Sequence, residues 1–97
     1  VILQYLNATG WLSWRHNSGM IAIGVGKYRR MIRMGVAGMP DVFAVKKNYP
    51  LLGIEVKKKG NKPTEAQEYM LRELQKHGVA ILVAYSVEEV ERFIKML

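Results

Sequence analysis

The apolar positions of the chain fall into short runs, and their spacing alternates between helical and extended periods. Residues 1–6 (VILQYL) are apolar on most sides and stop at Asn7-Ala8-Thr9-Gly10, whose Asn and Gly suit a helix C-terminus. Six residues are too few for an independent helix, so the expectation is that the sequence begins part way along one. Residues 11–16 and 20–25 read as strands divided by the turn signal Asn17-Ser18-Gly19, and residues 27–38 read as a basic, Gly-containing connection. Residues 41–45 and 51–57 are β runs joined by a loop of hairpin length. Thr64-Glu65-Ala66-Gln67 forms a capping box that opens a helix, with Tyr69, Met70, Leu71 and Leu74 turned to the core and His77-Gly78 at its close. Residues 79–85 (VAILVAY) are continuously apolar, which predicts a strand covered on both faces. A second capping box, Ser86-Val87-Glu88-Glu89, starts a last helix with Val90, Phe93, Ile94 and Leu97 on one side.

Residues 51–85 therefore read strand, crossover helix, strand, which normally gives two parallel, right-handed neighbours. With the hairpin before them, this predicts an α/β sandwich around a mixed sheet. The 97 residues fit a single domain, 1–97, with a core small enough that self-association would help it. No cysteine is present, which excludes disulfides, thiolate metal sites and a Cys nucleophile. No apolar run approaches the ~20 residues of a membrane span. Val1-Ile2-Leu3 lacks the basic start of a signal peptide, so an intracellular, cytoplasmic protein without a membrane partner is expected.

Charge changes this picture. The net charge of +7 is unevenly spread, because Asp41 and Glu55 are the only acids up to Lys62, whereas the acidic surplus begins after Pro63. Such asymmetry indicates a phosphate-facing half and a solvated back.

Strand periodicity then isolates a chemical group. Glu55 and Lys57 share one face of their strand, while Ile54 and Val56 point to the opposite, apolar face. If Asp41 begins the antiparallel neighbour, its carboxylate arrives at the same end as Glu55, within reach of one hard cation. Mg²⁺ prefers one or two carboxylates plus waters and phosphate oxygens, and the Val56 carbonyl can add a ligand. Lys57 can orient or deprotonate an attacking water or stabilise charge on phosphorus. The plainer alternative is a surface ion pair between Glu55 and Lys57.

Pro40-Asp41 followed by Glu55-Val56-Lys57 resembles the PD-(D/E)xK nuclease superfamily, and the wider string is similar to its VRR-NUC branch. The further likeness lies in Arg15-His16-Asn17-Ser18-Gly19, Gly38-Met39-Pro40-Asp41, the spacing to Glu55, Gln67 on the following helix, and a final strand and helix. The resemblance implies a restriction-endonuclease-like three-layer sandwich with a central mixed β-sheet flanked by helices. It also implies Asp41 and Glu55 as metal ligands, Lys57 as catalytic lysine and Gln67 as an active-site helper, with Mg²⁺ or Mn²⁺ as cofactor. Small stand-alone members tend to be homodimers acting on branched DNA such as four-way junctions. The family usually carries an acid on its first helix, whereas the first six residues here hold Gln4 and no acid; the expectation is that this acid lies upstream of Val1.

Gln67 has a second explanation, as the N3 member of the Thr64 capping box. His16 and His77 lack a second ligand at metal-binding spacing, and His77 suits a helix C-terminus. Ser18 has no recognisable base, which argues against a serine nucleophile. Gly24-Val25-Gly26-Lys27 looks like part of a phosphate loop, but Ile21 and Tyr28 stand where Gly and Ser or Thr are needed, so no nucleotide cofactor is expected. Arg15, Asn17, Ser18, Arg29, Arg30, Arg33, Lys58 and Lys59 are the candidate nucleic-acid contacts, holding backbone phosphates without reading sequence. Tyr28, Trp11 and Trp14 can stack on bases, although Trp in strand-like runs is more commonly core. The sequence thus points to a metal-dependent DNA endonuclease. The rivals are a non-catalytic nucleic-acid-binding module on the same fold, a flap or single-strand nuclease, and a basic interaction protein without metal.

Overall fold

The computed structural model describes residues 1–16, 20–33 and 36–97, with backbone alone at 20–23 and 31–33. The chain opens with helix α1 (Ile2–Ala8), closed by Thr9, whose hydroxyl donates to the Tyr5 carbonyl. It continues through β1 (Leu12–Arg15), β2 (Met20–Ile23), a 3₁₀ turn (Gly26–Tyr28), β3 (Arg30–Arg33), β4 (Val42–Val45) and β5 (Leu52–Val56). Helix α2 (Glu65–Lys76), β6 (Ala80–Ala84) and helix α3 (Val87–Lys95) follow.

The main sheet has the order β1-β4-β5-β6 and is mixed, with β1–β4 and β4–β5 antiparallel and β5–β6 parallel as the strand-helix-strand pattern predicts. Strands β2 and β3 form a separate antiparallel ribbon. This corrects the reading of residues 27–38 as a connection. Arg30-Met31-Ile32-Arg33 has little apolar alternation of its own and becomes a strand by pairing with β2, from Ile23 opposite Arg30 to Met20 opposite Arg33. The turn signal at residues 17–19 lies outside the described residues.

One face of the main sheet carries Val42, Ala44, Leu52, Ile54 and Ala84, and these pack with Leu6 and Ile2 of α1, Trp11, and Val90, Phe93 and Ile94 of α3. The other face carries Phe43, Gly53 and Glu55 and is crossed by α2, which buries Leu71. Strand β6 is at the sheet edge, yet helices contact it from both sides, which explains its continuous apolar run.

Several expected core positions differ. Gln67 and Leu71, one turn apart, face the sheet, which puts Tyr69 on the far side of α2 and leaves it 59 % exposed. Val56, in register with Ala84 at the end of β5, keeps the face that holds Ile54 but is 41 % exposed. Leu97 follows the end of α3 and is largely exposed. The two Trp residues part company: Trp11 is buried in the core, whereas Trp14 is half exposed and stacks on Phe43 at 6.0 Å between centroids. In the second capping box Ser86 accepts from the Glu89 amide, but the Glu89 carboxylate reaches one residue farther back, to the Tyr85 amide.

Two glycines fit the loop before Asp41 into this frame. A Cβ on Gly53 would stand 2.8 Å from Ile81 Cδ1 and 3.0 Å from Pro40 Cγ, so the bare backbone of β5 lets Pro40 be buried above it. Gly38 has φ +81°, and a Cβ there would stand 2.4 Å from the Ala66 carbonyl oxygen in the first turn of α2. Both the left-handed backbone and the close approach demand glycine. Gly38→Ala is therefore expected to lower stability by about 1–3 kcal/mol, read as a lower urea midpoint. Gly60→Ala, at φ +90° with open space around the added carbon, should lose less. Equal losses at the two sites would show that the contact with α2 is not the deciding factor.

Candidate active site

The residues at the C-terminal end of β5 explain why a polar pair is tolerated there. Antiparallel pairing sets Val42 opposite Ile54 and Phe43 opposite Gly53, so Asp41, one step before β4, reaches the end of β5 on the Glu55 face. Its Oδ2 accepts a 3.0 Å hydrogen bond from the Val56 amide, which fixes the carboxylate against the strand. The Asp41 carbonyl in turn accepts from the His16 amide at 2.7 Å, extending the β1–β4 ladder.

Glu55 is 1 % exposed, which replaces the surface ion pair with a buried acid. Its Oε2 accepts from Gln67 Nε2 at 2.9 Å and lies 3.3 Å from Lys57 Nζ. Its Oε1 is buried and has no hydrogen-bond partner among the described residues. An unsatisfied buried carboxylate oxygen is costly unless something else fills the position. Burial raises the Glu55 pKa above its ordinary 4.5, and the neighbouring Asp41 charge raises it further. The Lys57 hydrogen bond and charge, and the Asp41 backbone bond, oppose these effects without cancelling them.

One Gln67 side chain completes the capping box and reaches Glu55 as well. Its Oε1 accepts from the Thr64 amide at 2.9 Å and its own amide donates to Thr64 Oγ1, completing the capping box, while Nε2 points to Glu55. Asp41 and Lys57 line a cavity of about 410 Å³ with Arg15, Val56, Lys58 and the first residues of the chain, Val1, Ile2 and Leu3. The structure thus brings Asp41, Glu55, Lys57 and Gln67 together and sets Arg15, Val56 and Lys58 beside them.

The remaining candidates are placed elsewhere. Lys59 lines a neighbouring cleft, and Arg29 and Arg30 are exposed on the β2–β3 ribbon. Arg33 is in β3, where the backbone alone is described, and Asn17 and Ser18 lie outside the described residues. His77 caps the end of α2, its Nδ1 2.7 Å from the Glu73 carbonyl oxygen.

Two features escaped the sequence reading. His16, set aside as a ligand, has a buried Nε2 without a partner among the described residues and packs edge-on to Phe43. Tyr85 and Asn61 line the cleft that holds Lys59. The predicted parallel pairing of β5 and β6 was the available signal for Tyr85, since it brings the C-terminal ends of both strands side by side.

The donor chemistry of the residues present is compatible with a hard cation. The open Glu55 oxygen and the second carboxylate at Asp41 form a locally anionic pair, and no group of three or more His, Cys, Asp or Glu side chains is clustered for a metal among the described residues. Two carboxylates with the rest of the coordination left to water and phosphate oxygens is the donor set that Mg²⁺ or Mn²⁺ accepts.

The mixed α/β sheet thus ends in two carboxylates, a lysine and a glutamine beside a cavity lined by Arg15, Lys57 and Lys58. The chain belongs to the VRR-NUC family: the model of the VRR-NUC domain matches residues 12–88. No curated protein and no solved structure matches it. The VRR-NUC domain implies a nuclease-type function, and among the described residues no helix is long and apolar enough to cross a membrane.

Glu55 gives the metal-free protein a defined pH dependence. The folded chain keeps the Glu55 proton to a higher pH than the unfolded chain, so it binds more protons between 4.5 and the raised value. The contribution of this group to stability therefore falls as pH climbs through that window and levels off above it. Urea unfolding in chelator, repeated across pH, should show that decline, and Glu55→Gln should remove it and be the more stable chain at neutral pH. A Glu55→Gln chain that is less stable than wild type at neutral pH would contradict this.

Proposed function

We propose that the protein is a metal-dependent DNA endonuclease that hydrolyses phosphodiester bonds, with branched DNA such as four-way junctions as its substrate. The observation that carries the reading is the buried Glu55 carboxylate, held through one oxygen by Gln67 and Lys57 and left open at the other beside Asp41. Asp41, Glu55 and the Val56 carbonyl would hold Mg²⁺ or Mn²⁺, which supplies Lewis acidity toward phosphate oxygens and a more acidic bound water. The arrangement of helices on both sheet faces supports a restriction-endonuclease-like three-layer sandwich as the frame.

The chain's own residues account for the rest of the reaction. Hydrolysis joins a water oxygen to phosphorus and breaks one phosphorus–oxygen ester bond; the proton that the water gives up to solvent is matched by one that the leaving alkoxide takes from solvent. Lys57 Nζ, only partly buried at the cavity wall, is placed to orient that water and to offset charge developing on phosphorus. Gln67 keeps Glu55 from rotating away, and the Val56 amide does the same for Asp41. Arg15 and Lys58 at the cavity rim hold the phosphates on either side, and Lys59, Arg29, Arg30 and Arg33 extend the contact along the backbone. Resolving a junction requires two symmetric cuts, and one domain offers one such site, so the working form is a two-fold homodimer. An intracellular, cytoplasmic setting is part of the same proposal.

Asp41→Asn, Glu55→Gln and Lys57→Ala should each lower cleavage on the order of a hundredfold or more while DNA binding persists. Mg²⁺ or Mn²⁺ should support cutting, whereas Ca²⁺, with longer and looser coordination, should support binding with little turnover. A panel of linear, flap and four-way-junction DNA reads both, and a homodimer should place paired nicks on opposite strands of the junction. Undiminished cutting by any of the three variants, or in excess chelator, would sink the proposal. Cutting of flaps alone would make the protein a flap or single-strand nuclease, and binding without any cutting would make it a non-catalytic module.

The arginines make a separate prediction. Replacing Arg29, Arg30 and Arg33 by Ala should weaken binding similarly for unrelated sequences. The log–log salt dependence should flatten by about 0.9 for each duplex phosphate that the variant no longer neutralises. A filter-binding or anisotropy series across salt that gives an unchanged slope would place these residues away from DNA.

A further inference from the structure

We propose that the cleft between the loop after β5 and the end of β6 is a nucleotide subsite, in which an unpaired base stacks on Tyr85 while Lys59 and Lys62 hold the adjoining phosphates. The inference rests on the nuclease reading and assigns a second part of the substrate to a second place. The cleft has a volume of about 520 Å³ and is lined by Lys59, Gly60, Asn61, Lys62, Tyr85 and Glu89, a size suited to a nucleotide.

Its position follows from the strand pairing. The Lys57 amide donates to the Ala84 carbonyl at 2.9 Å, so Tyr85 comes directly after the residue bonded to the catalytic lysine's backbone. Lys57 and Lys58 line the active-site cavity, and the next residue, Lys59, lines the cleft. A strand leaving the scissile phosphate along this edge would pass from one to the other.

The aromatic ring is held in place before any ligand arrives. Tyr85 Oη donates to the Asn61 carbonyl at 2.8 Å and the Tyr85 amide donates to Glu89 Oε1 at 2.8 Å. The loop is closed by the Asn61 amide donating to the Lys58 carbonyl. With both ends of the residue bonded, the ring cannot fold onto the core, and Tyr85 stays 41 % exposed. A fixed, exposed aromatic beside cations is the arrangement that binds single-stranded nucleic acid, where base stacking supplies affinity without sequence preference. Glu89 is the one carboxylate of the lining, and with an oxygen committed to the Tyr85 amide it stands against two exposed lysines. A base inside a duplex presents only its edges, so the face of Tyr85 selects DNA with an unstacked base, as at a branch point.

The test uses the Asp41→Asn chain in chelator, so that cutting is suppressed, titrated with branched and fully duplex DNA carrying 2-aminopurine at successive positions. One position near the branch should be quenched on binding. Tyr85→Ala should abolish that quench and weaken binding to the branched DNA by about five- to a hundredfold, with a smaller effect on the duplex. Tyr85→Phe, which keeps the ring and loses the bond to Asn61, should retain both signals. Lys59→Ala with Lys62→Ala should flatten the log–log salt dependence by about 0.7 for each single-strand phosphate no longer neutralised. Unchanged quench and affinity in Tyr85→Ala, or an equal loss in Tyr85→Phe and Tyr85→Ala, would overturn the subsite, the latter because the hydroxyl's structural tie would then be the whole effect. If the chain with Asp41 intact fails to cut DNA with Mg²⁺ or Mn²⁺ while the Tyr85-dependent quench persists, the nuclease reading fails and the subsite stands. If that chain cuts and Tyr85→Ala binds as before, the subsite alone fails; absence of any DNA binding overturns both.

Discussion

The carboxylate of Glu55 is withdrawn from water on a strand whose neighbouring face is fully apolar, and the surrounding structure is arranged around that one unfavourable burial. A buried acid with one bare oxygen is tolerable only when its other oxygen is well partnered. Gln67 and Lys57 provide those partners from different elements, a helix crossing the sheet and the end of the same strand. They do not fully offset burial and the Asp41 charge, since the Glu55 pKa stays raised. The site is therefore left with an unbalanced negative character that a bound cation would relieve. Such a burial costs stability, and a carboxylate perturbed in this way is the kind of group from which a functional proposal starts.

Gln67 shows how local and tertiary demands meet in one side chain. A capping box accepts either Glu or Gln at N3, because both can take a hydrogen bond from the N-cap amide. Here the second end of the side chain faces a carboxylate, so an acid in its place would put two negative charges together and lose the donor. The carboxamide alone can accept from Thr64 and donate to Glu55 together. The start of α2 is further fixed by Gly38, whose missing Cβ lets the loop before Asp41 rest on the Ala66 carbonyl, and by Pro40 seated above Gly53. Helix start, loop and strand thus set the Asp41–Glu55 relation jointly.

What the sequence disclosed follows from how local each determinant is. The β5–α2–β6 unit, the Thr64 capping box and the antiparallel approach of Asp41 to Glu55 were legible because each depends on periodicity, caps or short loops. Of the β2–β3 ribbon only β2 was, since Arg30-Met31-Ile32-Arg33 gains its strand character from its partner. The depth of Glu55 was also hidden: alternation tells which face a side chain takes, and only the crossing of α2 tells how far that face is from water. Tyr69 was misplaced because it lies on the far side of α2, whereas Val56 takes the expected face but stays 41 % exposed at the strand end. The open second oxygen of Glu55 and the bonds that hold Tyr85 are properties of the folded chain alone.

The distribution of charge acquires a physical reason once the sheet is in view. The parallel pair β5–β6 ends on one side, and there the chain places Lys57, Lys58 and Lys59 in succession, with Arg15 arriving from β1 across the sheet. The acids Glu65, Glu68, Glu88 and Glu89 occupy the first turns of α2 and α3, where a negative charge favours the helix N-terminus and needs no external partner. Four of the eight acids are thus accounted for by helix starts, while Lys57, Lys58 and Lys59 show no ion pair beyond the Lys57–Glu55 contact among the described residues. The proposed contact with a polyanion draws on these lysines, and any attraction they exert would be screened by salt.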